Sequence, residues 1–111
     1  QVVHRHALLD AVMELEEATD WIKDSAASDP RQVGAASVEY LHLFGYVVLG
    51  YLWSRMATVA RRAQDSDNAF YSAKLATADF FFARLLPRIH GLSACIHGGA
   101  KALYGLADNQ F

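Results

Sequence analysis

Residues 70–87 read FYSAKLATADFFFARLLP, and this stretch constrains the fold more than any other. Tyr71, Leu75, Ala78, Phe82 and Leu85 recur at steps of four and three. That spacing puts them on one face of an α-helix. Phe80, Phe81 and Phe82 are consecutive, so the aromatic surface spreads beyond a single seam. A helix that is apolar over most of its girth is buried on several sides.

The rest of the chain supplies neighbours. A first helix is expected over about Val2–Ala26, with Leu8, Val12, Leu15, Thr19 and Ile22 as its buried stripe and Trp21 sealing one end. Asp29-Pro30 combines an N-cap residue with a residue suited to a first helical turn. A second helix follows over about Arg31–Ala63, with Leu41, Phe44, Val48, Tyr51 or Leu52, Arg55 and Val59 tracing one side. Gly45 and Gly50 each cost about 1 kcal/mol of helix propensity against Ala, which close approach of another helix would offset. Gln64–Asn68 is a polar turn in which Asp65, Ser66 or Asp67 caps the third helix. That helix should run to about Leu86 and break at Pro87. A fourth is expected over Arg88–Leu106, with Ile89, Leu92, Ile96, Ala100 and Leu103 as its stripe. Long amphipathic helices with short links predict an all-α, antiparallel up-down four-helix bundle, one domain over residues 1–111.

Charge narrows the partners. The net charge is −2, which leaves no nucleic-acid footprint at the whole-chain level. Residues 1–29 carry seven acids against Arg5 and Lys23, while the later half is mildly basic. An acidic first helix packed near basic later ones accounts for this. The lone Cys95 excludes an internal disulfide and is compatible with the cytoplasm. No signal peptide is evident. Between Glu39 and Arg55 there is no Asp, Glu, Lys or Arg. That gap is shorter than the roughly 20 residues of a bilayer crossing, so it reads as the buried middle of a bundle helix.

Few residues suggest chemistry. Glu39 and His42 form an E-x-x-H, a spacing used in carboxylate-bridged di-metal bundles. No second such motif exists, and the third and fourth helices contain no Glu, so no metal site is assigned. His4 and His6 diverge on a helix, and His6 could pair with Asp10 four residues on. His90 and His97 share a face nearly two turns apart. Cys95 lacks an oriented base, since His97 two residues on points elsewhere, and reads as an inert thiol. Gly98-Gly99 is no phosphate loop, because no strand precedes it and the G-x-G-x-x-G spacing is missing. No catalytic or cofactor-binding residue is assigned.

The strings themselves resemble a known family. Phe70, Tyr71, Ala73–Ala78, Phe80–Phe82 and Arg84–Pro87, with an earlier block at Tyr40-Leu41-x-Leu43-Phe44-Gly45 and Leu49–Ala57, resemble the C-terminal helical domain appended to one branch of the acyl-CoA dehydrogenases. Asp79 and His42 depart from that pattern. The resemblance implies a non-catalytic segment, with the flavin site and catalytic glutamate in domains upstream. Those domains of the same polypeptide would be its partners, and FAD the cofactor of the parent, which dehydrogenates fatty acyl-CoA at its α,β-bond. The bundle would stabilise the enzyme and its dimer. A chain opening at Gln1 without Met fits a fragment of such a protein. The alternative is an independent helical interaction or oligomerisation module. Lys74 and Arg84, inside the recognised string, are candidate docking residues or snorkelling cations. Phe80, Phe81 and Trp53 lie outside the best seam and are candidates for an interface.

Overall fold

The computed structural model of the chain describes residues 2–111, with side-chain surroundings from His4 onward. Every element among the described residues is helical. Helix α1 spans Val2–Ser28, α2 Arg31–Ala63 and α3 Asn68–Phe80. A π-helical turn over Phe81–Leu85 and a 3-10 turn over Leu86–Arg88 follow without interruption, leading into α4 over Ile89–His97. A last 3-10 turn covers Asp108–Gln110.

The turn chemistry is local. Asp29 Oδ1 accepts from the Arg31 backbone N–H at 3.1 Å, and its carboxylate also grips the Arg31 guanidinium. Asp67 caps α3, its side chain accepting from the Phe70 N–H at 3.2 Å. Both satisfy donors that a helix start leaves free.

Cross-helix contacts fix the directions. Thr19 meets Tyr40, and Leu8 lies against Gly50, so α1 and α2 are antiparallel. Gln64 meets Ser72, Gly50 faces Phe81 and Leu86, and Gln32 meets Ala100, so the third rod is antiparallel to α2. His4–Asp79, Glu14–His90 and Glu17–His97 climb together, so α3 and α4 form one bent rod parallel to α1. The expected four-helix up-down bundle is therefore corrected to three rods. The reason lies at Pro87. Its ring would clash with the carbonyl four residues back in a regular helix. The preceding turn widens instead, with the Leu86 N–H donating to Phe81 O five residues back, and the chain bends without reversing.

The fourth helix also ends early. Gly99 adopts φ of +76°, a conformation that favours glycine, and takes the chain out of the helix after His97. Gln32 Oε1 then accepts from the Ala100 N–H at 2.9 Å. Leu103, expected on the buried stripe, is exposed.

The core joins Ala11 and Ala18 of α1, Ala36, Leu43 and Val47 of α2, and Phe81, Phe82, Leu86, Ile89 and Ile96 of the bent rod. The α1 stripe of Leu8, Val12, Leu15 and Ile22 packs around it as expected. The buried line of α2 is Ala36, Leu43, Val47, Gly50, Ala57 and Ala60. Small residues there let neighbouring rods approach closely. A Cβ on Gly50 would meet Leu8 Cδ1 at 3.4 Å, Leu86 Cδ1 at 3.5 Å and Phe81 Cε1 at 3.6 Å, so close approach is realised there. At Gly45 a Cβ would meet nothing within 4 Å, which corrects the same expectation for that residue.

Each of the three rods touches the other two: α1 meets α2 at Thr19–Tyr40, α1 meets the bent rod at Glu14–His90, and α2 meets the bent rod where Gly50 faces Phe81. The molecule is elongated, measuring 65 × 29 × 16 Å. Its radius of gyration is 18.4 Å, against about 13 Å for a compact domain of this size. With only two neighbours, each rod keeps an outer face open.

Candidate functional site

The consequence is sharpest on α2. Leu41 is 67% exposed while Leu43, two residues on, is fully buried. Leu41, Val48, Leu52 and Val59 follow each other at steps of seven, four and seven, a straight line along one helix face. All four are exposed, with Phe44, Leu49, Tyr51 and Met56 flanking them. This is the side that Leu41, Phe44, Val48 and Val59 trace along the helix. The charge-free middle of α2 is no buried bundle interior, since only 22% of its most apolar window is buried. By length and composition alone α2 could cross a membrane. A helix apolar all round, with half its girth open, presents an interaction surface.

Two apolar grooves border this face. The larger, about 540 Å³, lies between α1 and α2 and is lined by Ile22, Lys23, Val33, Ala36, Tyr40, Leu41 and Phe44, among others. At its side Thr19 Oγ1 donates to Leu15 O at 2.7 Å, so its short 2.7 Å contact with Tyr40 is donated by the Tyr40 hydroxyl. The smaller, about 260 Å³, is lined by Arg55, Met56, Val59, Phe70, Tyr71 and Lys74.

The five candidate docking residues separate. Lys74 is exposed, stands 5.3 Å from the Phe70 ring centroid, and belongs to the smaller groove at the edge of the apolar face. Phe80 is 56% exposed and Arg84 is exposed. Trp53 is half-buried and packs on the core. Phe81 is 3% exposed, which corrects its assignment to an interface. The π turn is the cause. It brings Phe81 and Phe82 inside together, their rings edge to face at 5.7 Å.

Histidines do the stitching between rods. His4 Nε2 meets Asp79 Oδ1 at 2.9 Å, and the His4 ring stacks on Phe82 at 4.3 Å. Burial holds the His4 pKa below its ordinary value, against the opposing pull of the Asp79 carboxylate. His4 Nδ1 is buried with no partner among the described residues. His90 Nδ1 meets Glu14 at 2.8 Å, and His97 Nε2 meets Glu17 at 2.8 Å. His90 and His97 share a face as expected, and that face is turned to α1. A rod parallel to α1 brings Glu14 and Glu17 within reach of these rings. Asp79, a departure from the family pattern, has its partner in His4.

Among the described residues no three His, Cys, Asp or Glu side chains gather where a metal ion could sit. Glu39 is half-buried, His42 is exposed, and Cys95 is an exposed free thiol. The conspicuous surface is apolar and suited to contact.

Comparison with known proteins agrees with the resemblance in the strings. The family model described as acetyl-CoA dehydrogenase C-terminal like matches residues 2–107. The broad-specificity linear acyl-CoA dehydrogenase FadE5 of Mycobacterium tuberculosis is 38% identical over 61 residues, covering 50% of this chain and 10% of that protein. The chain thus spans about a tenth of the length of that curated relative. No solved structure matches it. With the match running through all three rods, the chain belongs to the acetyl-CoA dehydrogenase C-terminal-like family.

Proposed function

We propose that the chain is the non-catalytic C-terminal helical domain of an FAD-dependent acyl-CoA dehydrogenase, stabilising that enzyme and its dimer. The parent would dehydrogenate fatty acyl-CoA at the α,β-bond in the cytoplasm, with FAD and the catalytic base in domains outside this segment. The observation that carries the reading is the open apolar face of α2, on the side turned away from both other rods. A surface of that kind is covered in the working protein. Lys74, Phe80 and Arg84 would add contacts from the bent rod.

The test uses the full product of the gene and the same product lacking residues 2–107. The intact protein should be yellow and reduce a dye with fatty acyl-CoA. The truncated protein should keep its flavin while losing thermal stability and dimer. A full product without flavin or acyl-CoA activity would favour an independent helical oligomerisation module. A truncation that leaves stability and dimer unchanged would remove the stabilising role.

A further inference from the structure

The eight large apolar side chains exposed on α2 between Leu41 and Val59 have a symmetry of their own. They are Leu41, Phe44, Val48, Leu49, Tyr51, Leu52, Met56 and Val59. Counted from Gly50, they form four mirror pairs: 41 with 59, 44 with 56, 48 with 52, and 49 with 51. Gly50 itself faces the core, so the outward face is centred directly opposite it. A two-fold axis perpendicular to α2 at this level would set the central pairs, 41 with 59 and 48 with 52, against each other in two copies, while residues 49 and 51, on opposite edges beside the axis, would each face their own counterpart. Isologous interfaces require this self-complementarity.

We propose that the occupant of the α2 face is a second copy of this chain, with the two α2 helices antiparallel and crossing at Gly50. Leu41 then lies on the partner's Val59, and Val48 on the partner's Leu52. The inference rests on the reading above only in taking the domain to sit in a dimer.

Two further observations fit a second copy. Arg55 is the one charged residue between Tyr40 and Ala60, and its mirror position is Gly45. The two Arg55 residues are ten positions apart along the pair, about 15 Å, beyond a Debye length in physiological salt. The area is also adequate. Eight side chains at 40–67% exposure leave on the order of 700 Å² per subunit, close to the roughly 800 Å² a side of a standard interface.

Disulfide trapping tests the register. Cys95→Ser removes the native thiol, and Leu41→Cys and Val59→Cys are introduced singly and together in the 111-residue chain. The two positions are 18 residues apart, about 27 Å along the helix, so they cannot bond within one chain. In the proposed pair, Leu41→Cys meets Val59→Cys of the other copy, while like positions stay about 27 Å apart. The double variant should convert to covalent dimer on mild oxidation, and each single variant should stay monomeric. Both sites are exposed, so helical content should match the parent chain, and circular dichroism checks this.

Single variants that link as readily as the double would overturn the antiparallel register. A chain that sediments as a dimer without linking would place the dimer on another face and overturn the proposal. A monomer that partitions onto zwitterionic lipid vesicles, or that binds only the truncated enzyme lacking residues 2–107, would give the face to another occupant. None of these outcomes alters the flavin content or activity of the full product, which judges the family function separately.

Discussion

His97 bridges α4 and α1 with both ring nitrogens engaged: Nε2 meets Glu17 Oε1 at 2.8 Å and Nδ1 meets Ser93 O at 2.7 Å. Both partners are acceptors, so only the doubly protonated ring satisfies both contacts at once. The Ser93 carbonyl is the larger cause of a raised His97 pKa, with Glu17 adding to it against partial burial.

Stability should therefore carry a pH signature at this site. The folded-state pKa lies above the ordinary 6.5, so the gain is complete below 6.5 and is lost as pH rises through the folded value. His97→Gln should lower the melting temperature at pH 5.5, and the gap should close by pH 8.5. The pair is partly exposed, so its worth is below about 1 kcal/mol. His4 acts in the other sense. Burial lowers its pKa, so its protonation opposes folding as pH falls below 6.5. A gap that widens with rising pH would contradict the assignment of His97 as the cation.

Phe82 sits at the junction of two rods, 8% exposed, stacked on His4 and edge to face with Phe81. Phe82→Ala should cost about 3–5 kcal/mol. Urea unfolding with an unchanged midpoint would show that the α1–bent-rod contact is not formed in solution.

The two sides of α2 can be told apart by two neighbouring leucines. Leu43→Ala removes a fully buried side chain and should cost about 2–5 kcal/mol. Leu41→Ala, measured in dilute protein where self-association is suppressed, should stay within about 0.5 kcal/mol of the parent. Equal costs would mean that the helix is rotated from the orientation described.

Two glycines should respond with opposite signs. Gly99→Ala forces a side chain into a positive φ and should destabilise by about 1–2 kcal/mol. Gly45→Ala meets nothing and improves helix propensity, so it should stabilise the dilute chain by up to about 1 kcal/mol. Thermal melts of both variants against the parent decide this.

The 111-residue chain alone should be colourless after incubation with FAD and desalting. The motive is the lack of any nucleotide-binding motif in the sequence. Stoichiometric retained flavin would overturn it.

Much of the fold was legible because helix starts and stops are local. Asp67 capping α3 and the α1 stripe follow from residues within a few positions. Which side of α2 faces inward was not legible, because both sides offer a helical period. The large residues Leu41, Val48 and Leu52 outweigh Ala36, Gly50 and Ala57 in a count of apolar bulk. The geometry favours the small ones, since α1 and the bent rod both pack closely on that side of α2. The bend at Pro87 was read as a break for a related reason. Proline marks a disruption but does not say whether the chain reverses. The Glu14–His90 and Glu17–His97 pairs depend on that direction, and so were beyond the reach of spacing along the chain.

The widened turn at Phe81–Leu85 makes segment length a determinant in its own right. It holds one residue more than a regular helix would use to climb the same distance. Deleting a single residue there would leave a better-formed helix by local criteria. It would also rotate everything downstream by about 100°, carrying Ile89, Ile96, His90 and His97 off the faces they now occupy. Substitutions in this turn alter contacts one at a time, whereas a change in its count would disengage the whole far half of the rod.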